Sequence, residues 1–266
     1  GYLGILGYDA RDRDLLWTSK SSPDSEFSGW FQELGEAVIG PSRVKALARY
    51  LRDTGSAMAF EVVDPVRDPH ICEYDEPQLV LLDVIRRSSA FEALPYDQLQ
   101  KVGKVFGICV KDQAMTFHTW KHLSGWLRVA QGPDYLYRGR PVEGFVLEDA
   151  TGFQVKVKLD YYNFWKRMRG LKQRVLRVRR TGQALGRDVS DPRVAAFHAW
   201  MVLQPTELLE KDIIEVRRAY EAGVLPEGLT PLPPPEDKVV RGFKGFLQSL
   251  KAHLGDGNRL SAATAD

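Results

Sequence analysis

The chain has 266 residues, 44% hydrophobic and 27% charged, an ordinary composition for a soluble globular protein that can bury a full core as one large domain plus a smaller one. Its formal net charge of only +2 leaves any nucleic-acid affinity to local clusters of basic residues rather than to a whole-molecule field. Cys72 and Cys109 stand far apart with no CxxC, no apolar run approaches membrane length, and the opening Gly-Tyr-Leu-Gly lacks the basic region of a signal peptide; a reducing, cytoplasmic compartment is expected, with neither a disulfide framework nor a zinc site.

In chain order, residues 2–8 and 15–20 read as a hairpin joined by the polar turn Asp9-Ala10-Arg11-Asp12-Arg13-Asp14. Helices are predicted over 28–38 and 42–54, the second opened by Pro41-Ser42 and ended before Gly55. A strand follows at 58–63, then the turn Asp64-Pro65, a short strand at 70–74 and a buried apolar strand at 78–85. Residues 89–127 read as helical. A second hairpin pairs 142–147 with 155–159 across Thr151-Gly152.

A long helix then starts near Asp160, its stripe of Tyr162, Trp165, Met168, Leu171, Val175 and Val178 spaced by three and four. Two more helices are expected at 192–203, capped by Asp191, and at 207–222. A proline-rich linker at 229–236, a short helix at 241–254 and a polar tail, expected to be disordered, complete the chain. The pattern is α+β: a mixed body over 1–159, a helical domain over 160–255 and a tail over 256–266.

The second hairpin carries the most chemistry. Glu143 precedes Gly144 at one strand, and Lys156 and Lys158 alternate on the other, so both ammonium groups point to one side of a sheet. Lys and Glu are almost never fully buried unless paired, and this set suits a polyphosphate with a divalent cation. Taken alone, a Lys-x-Lys pair is a solvated face. Glu61, in Phe60-Glu61-Val62-Val63, is by itself a strand-end acid, and Lys20, among Thr18, Ser19, Ser21 and Ser22, is by itself a polar turn. Asp83 interrupts an apolar run and needs a partner if buried.

The long helix carries Lys166, Arg167, Arg169, Lys172, Arg174, Arg177, Arg179 and Arg180 with no acid from Trp165 to Arg180, which is either a solvated face or a track for RNA phosphates. Its aromatics Tyr161, Tyr162, Phe164 and Trp165 read as amphipathic core before they read as a stacking platform. His118 and His122, four apart without the Glu of HExxH, read as ordinary helix-face histidines.

Glu143-Gly144-Phe145-Val146-Leu147, followed by the run Val155-Lys156-Val157-Lys158-Leu159-Asp160-Tyr161-Tyr162, resembles the last two motifs of the covalent nucleotidyltransferases, and most of all those of the T-even phage RNA ligase 1 type. The Phe60-Glu61 strand resembles that family's third motif, residues 78–84 its next, and the Lys20 segment the stretch after its first. The resemblance implies an antiparallel-sheet nucleotidyltransferase (ATP-grasp-like ligase) domain followed by a smaller helical domain. It implies ATP-dependent joining of an RNA 5′-phosphate to a 3′-hydroxyl through lysyl-AMP and RNA-adenylate, with Mg²⁺ or Mn²⁺.

In that reading Lys156 and Lys158 stabilise the α-phosphate, Glu143 and Glu61 hold metal or ribose, Lys20 helps bind ATP, and Lys166, Arg167, Arg169, Lys172, Arg174 and Arg177 hold RNA. The expected partners are RNA ends, as in a cleaved tRNA, and an end-healing kinase/phosphatase, with no membrane. The family's nucleophile lies in a Lys-x-(Asp/Asn)-Gly signature, and none of the lysines here has it. Gly1 looks like the glycine of that signature, which leaves two expectations: a chain starting just after its nucleophile, or a silent relative. A nucleotide- or RNA-binding module, a DNA ligase and a capping guanylyltransferase stay open beside the RNA ligase.

Overall fold

The structure is a computed structural model that describes residues 1–182, 191–224 and the backbone of Leu260–Thr264. It separates into two compact units. Among the described residues, the first holds 1–117, 144–157 and 260–264, and the second holds 118–143, 158–182 and 191–224. The division follows space rather than chain order. Residues 118–143, expected in the body, group with the later helices.

In the first unit, β1 (Tyr2–Asp9) and β2 (Asp14–Ser19) form the expected antiparallel hairpin, its turn held by Arg11 N–H donating to Asp9 Oδ1 at 2.7 Å. The next elements are α1 (Glu26–Ile39), α2 (Pro41–Thr54), β3 (Ser56–Val63), β4 (Gln78–Arg86), α3 (Tyr96–Phe106) and β5 (Cys109–Val110). Ser25 caps α1 by accepting from Ser28 N–H, and Gly55, in the left-handed region at φ 61°, ends α2 as the sequence predicts. The sheet order is β2-β1-β3-β4-β5. Neighbours pair antiparallel except β4 and β5, which are parallel, so the expected antiparallel sheet is a mixed one.

One face of this sheet makes the core. Leu6, Trp17, Met58, Phe60, Val62, Leu79, Leu81 and Val84 point into it, against Phe31 and Ile39 of α1, Leu47 and Leu51 of α2, and Leu99 and Phe106 of α3. Helix α1 sits close because Gly35 has no side chain: a Cβ there would lie 2.2 Å from Trp17 Cζ3. Gly35→Ala gains about 1 kcal/mol of helix propensity. The collision with a buried indole outweighs that gain, so a net loss of about 1–3 kcal/mol is expected in urea unfolding.

Residues 70–74 form no strand. Pro65 and Pro69 donate no hydrogen bonds, and the loop winds around buried Asp64, whose carboxylate accepts from Val66 and Arg67 N–H at 3.1 and 2.9 Å. Residues 89–127 are not one helical stretch. Gly107, at φ 70°, ends α3, and the chain then forms β5 and β6 (Gln113–Phe117). Strands of two and five residues between helices are too short for their period to show.

A second sheet in the same unit has the order β6-β9-β7-β8, with β7 (Gly144–Asp149), β8 (Gln154–Lys158) and β9 (Leu260–Thr264). In the β7–β8 turn, Asp149 Oδ1 accepts from the N–H groups of Thr151 and Phe153 at 2.8 and 3.1 Å, and Gly152 takes φ 83°. The tail read as disordered thus contains a strand that pairs antiparallel with both β6 and β7. Its Ala- and Ser-rich sequence has little β-propensity, and what it gains is two strand edges left open for pairing.

The second unit contains α4 (Trp120–Ala130), α5 (Asp160–Thr181), α6 (Pro192–Leu203), α7 (Thr206–Glu210) and α8 (Ile213–Glu221). Trp165 of α5, Phe197 and Trp200 of α6 and Tyr220 of α8 pack ring against ring at 4.9–6.3 Å. The helix expected at 207–222 breaks in two because Asp212 caps a new start, accepting from the N–H groups of Ile214 and Glu215. The linker at 229–236 and the helix at 241–254 lie outside the described residues. No described helix is long and apolar enough to cross a membrane.

Candidate active site

The face of the first sheet opposite its core carries Leu3, Ile5, Ala59, Glu61 and Val80, none fully buried. Strict alternation along β4 would place Asp83 in the core with Leu79 and Leu81. A β-bulge between Ala59 and Phe60 prevents this: Phe60 pairs with Leu81, Ala59 pairs with Asp83, and Leu82 is the extra residue. Asp83 therefore shares the outer face with Glu61. Glu61 is 18% exposed, and its Oε1 lies 3.8 Å from the nitrogen of Gly1.

Asp83 has the partner its burial demands. Lys111, just after β5, places its ammonium 3.2 and 3.3 Å from the two Asp83 oxygens and 3.7 Å from Glu148 of β7. Burial pushes the Asp83 carboxyl up, and Lys111 opposes that shift. Gln154 of β8 donates to Glu148 at 2.9 Å. Sequence reading missed Lys111. The only signal for it was the demand of Asp83 for a cation.

Lys156 is exposed on β8, on the same face as Gln154 by strand alternation. Lys20 is exposed at the end of β2, on a turn tied to α1 by serines: Ser19 N–H donates to Ser28 Oγ at 2.9 Å, and the Ser25 hydroxyl lies 3.0 Å from that of Ser19 and 2.9 Å from that of Ser28. The first unit thus presents an apolar face with a few polar groups, Glu61 and the Asp83–Lys111–Glu148 bridge among them.

In the second unit, Glu143 and Lys158 form an ion pair, 23% and 30% exposed. The Lys158 ammonium lies 4.6 Å from the centroid of the Tyr162 ring, and its carbonyl accepts from Gln131 at 3.1 Å and Asn163 at 3.3 Å. Leu159 N–H donates to the Glu143 carbonyl at 2.9 Å. The lysine is therefore held by its charge, an aromatic face and the backbone together.

Of the basic residues on α5, Lys166, Arg169, Arg174 and Arg177 are exposed and Arg167 is half-buried. Lys172 is not part of that surface: it is buried and donates to the Lys211 carbonyl. The spacing puts Lys172 beside Met168, Val175 and Leu176 on the inward face, where only a long stem reaching a carbonyl is tolerated. Arg179 donates to the carbonyls of Met201, Val202 and Gln204 at the end of α6, a structural use of a basic residue beside a helix C-terminus. His118 lies outside α4 and His122 in its first turn, so the two do not share a helix face.

A family model described as RNA ligase, of the T4 RNA ligase 1 type, matches residues 2–162, more than half of the chain. The chain belongs to this RNA ligase family. No curated protein matches the ligase. The matched stretch contains Lys20, Glu61, Asp83, Lys111, Glu143, Glu148, Lys156 and Lys158, and stops before the basic run of α5. The family generally uses ATP and a divalent metal, and the matched stretch contains residue types of the kinds that bind them. The outer face of the first sheet offers apolar surface to a base, and the exposed lysines of the first unit, Lys20 after β2 and Lys156 on the second sheet, are of the kind that binds phosphate. Glu61 in the first unit and Glu143 in the second are each a hard oxygen donor of the kind Mg²⁺ takes. Among the described residues no three His, Cys, Asp or Glu side chains converge as a cage, and Mg²⁺ ordinarily takes one or two carboxylates with phosphate oxygens and water.

Proposed function

We propose that this chain is the body of an ATP-dependent RNA ligase that seals RNA 5′-phosphate and 3′-hydroxyl ends during RNA repair, cleaved tRNA being one candidate substrate and an end-healing kinase/phosphatase a candidate partner. In the first step a lysine nitrogen attacks the α-phosphorus of ATP, a P–N bond forms and pyrophosphate leaves. AMP then passes to the RNA 5′-phosphate. In the last step the 3′-oxygen attacks that phosphorus, its proton is lost, and AMP departs. None of the lysines in the 266 residues stands in the Lys-x-(Asp/Asn)-Gly signature, so these residues alone are expected not to become adenylated.

Lys156 and Lys158 stabilise the charge that develops on the transferred phosphate, a preorganised electrostatic role, and Lys20 assists the pyrophosphate end. Glu61 and Glu143 orient ribose, metal and water. A divalent cation, when bound, neutralises phosphate charge. The exposed stripe of Lys166, Arg169, Arg174 and Arg177 follows RNA phosphates without reading bases. The observation that carries this reading is the family match over residues 2–162, within which the carboxylates and lysines of the site all fall.

The test supplies a pre-adenylated RNA donor and a 3′-hydroxyl acceptor with Mg²⁺ and no ATP. This bypasses the nucleophile and asks only whether the pocket works. Sealing with release of AMP is the expected result. Folded protein that binds the donor and never seals it would instead identify a binding module. In the same system, Arg169→Ala and Arg177→Ala should each weaken RNA binding and flatten the dependence of log K on log salt by about 0.7 for each lost single-strand phosphate contact. Unchanged slopes would remove the stripe from the RNA path.

A further inference from the structure

The Asp83–Lys111–Glu148 bridge has no role in the reading above. It joins the two sheets of the first unit: Asp83 belongs to β4 of one, Glu148 to β7 of the other. Lys111 and Asp83 are only 13% and 14% exposed, so water does little to screen the pair. The backbone of Lys111 is fixed as well. Its N–H donates to the Leu81 carbonyl at 2.9 Å, extending the parallel pairing of β5, and its carbonyl accepts from the Tyr96 hydroxyl at 3.0 Å. The ammonium is thus the end of a short arm held by β4 and α3, and it reaches across to the hairpin.

The bridge lies where the sheets present their polar groups. Asp83 shares its sheet face with Glu61, through the bulge, and Gln154, which donates to Glu148, shares its strand face with Lys156. We infer that Lys111 is a positioning residue of the ligase: by holding Asp83 and Glu148 to one ammonium, it fixes the hairpin bearing Lys156 against the sheet face bearing Glu61. Without the ammonium, two carboxylates are left facing each other, and their repulsion drives the hairpin away from the sheet. Reacting groups misplaced by about 1 Å cost on the order of 100-fold in rate, so a residue that touches no substrate acts here through geometry.

The inference rests on the ligase reading, and two readouts separate them. The first is steady-state sealing of a pre-adenylated donor. Lys111→Met should lower kcat by about 10- to 100-fold with little change in donor KM, because the contacts that bind RNA remain. Lys111→Arg, which keeps the charge, should restore most of it. The second needs no chemistry: spin labels at Asp12→Cys in the β1–β2 turn and Ala150→Cys in the β7–β8 turn, in a Cys109→Ser background, report the distance between the sheets. Lys111→Met should broaden or lengthen that distribution, and Lys111→Arg should leave it near wild type.

An unchanged distribution in Lys111→Met overturns the inference, whether or not the protein seals RNA. A changed distribution with unchanged kcat in a sealing protein overturns it too. A wild-type protein that does not seal overturns the ligase reading and leaves the label distances to decide the bridge. Should Lys111→Met fail to fold, Glu148→Ala removes only the hairpin side of the bridge, at a side chain 34% exposed, and carries the same two readouts.

Discussion

Lys158→Ala is expected to lower sealing of a pre-adenylated RNA donor by about 10²–10³-fold, the range found when one preorganised donor to a transition-state oxyanion is lost. Lys158 is held between the Glu143 carboxylate and the Tyr162 ring, and its backbone carbonyl is bound by Gln131 and Asn163. The backbone contacts survive the substitution, and Lys158 is 30% exposed, so the fold should tolerate it; circular dichroism and thermal unfolding check this. Glu143→Ala is expected to fall in the same range for a related reason, since it frees the lysine from the orientation its partner imposes. Normal sealing by either variant would refute their assignment to the site.

Phe60→Ala should cost about 3–5 kcal/mol of stability, the usual loss for a fully buried phenylalanine whose cavity cannot collapse. Phe60 has no exposed surface and packs against Phe31 at 5.4 Å between ring centroids, under α1. It also pairs with Leu81 at the bulge, so its loss loosens the register that carries Asp83 to the outer face. Denaturant unfolding measures the first effect. A loss below about 1 kcal/mol would mean that the core repacks around the gap, contrary to the close packing expected of protein interiors.

Most of the scaffold was legible in the sequence because its elements are long and periodic. The first hairpin, the two early helices, β3, β4, the β7–β8 hairpin, α5 and α6 all follow from alternation, three-and-four spacing, prolines and glycines. The failures share a cause, which is that the missing information was tertiary. β5 and β6 are too short for a period of their own, and β9 forms in a segment whose composition argues against it.

The site residues divide in the same way. Lys156, Lys158 and Glu61 stood out in the sequence as charges alternating with apolar strand residues, and Glu143 as the acid just before a strand, and none of the four is in the core. Lys111 was invisible because its meaning comes from Asp83 and Glu148, 28 and 37 residues away in sequence and both within 4 Å in space. Lys172 shows the opposite error. Its charge suggested a surface that its helical phase denies.

The bulge in β4 makes that strand unequal in its tolerance of insertions and deletions. Losing Leu82 would restore a regular ladder with Asp83 still opposite Ala59, so both faces would keep their assignments. Gaining one residue at the same place would need a wider bulge, or else would turn Asp83 inward and Val84 outward, exchanging a carboxylate for an aliphatic in the core. Lineages carrying this strand can shorten it there more safely than they can lengthen it.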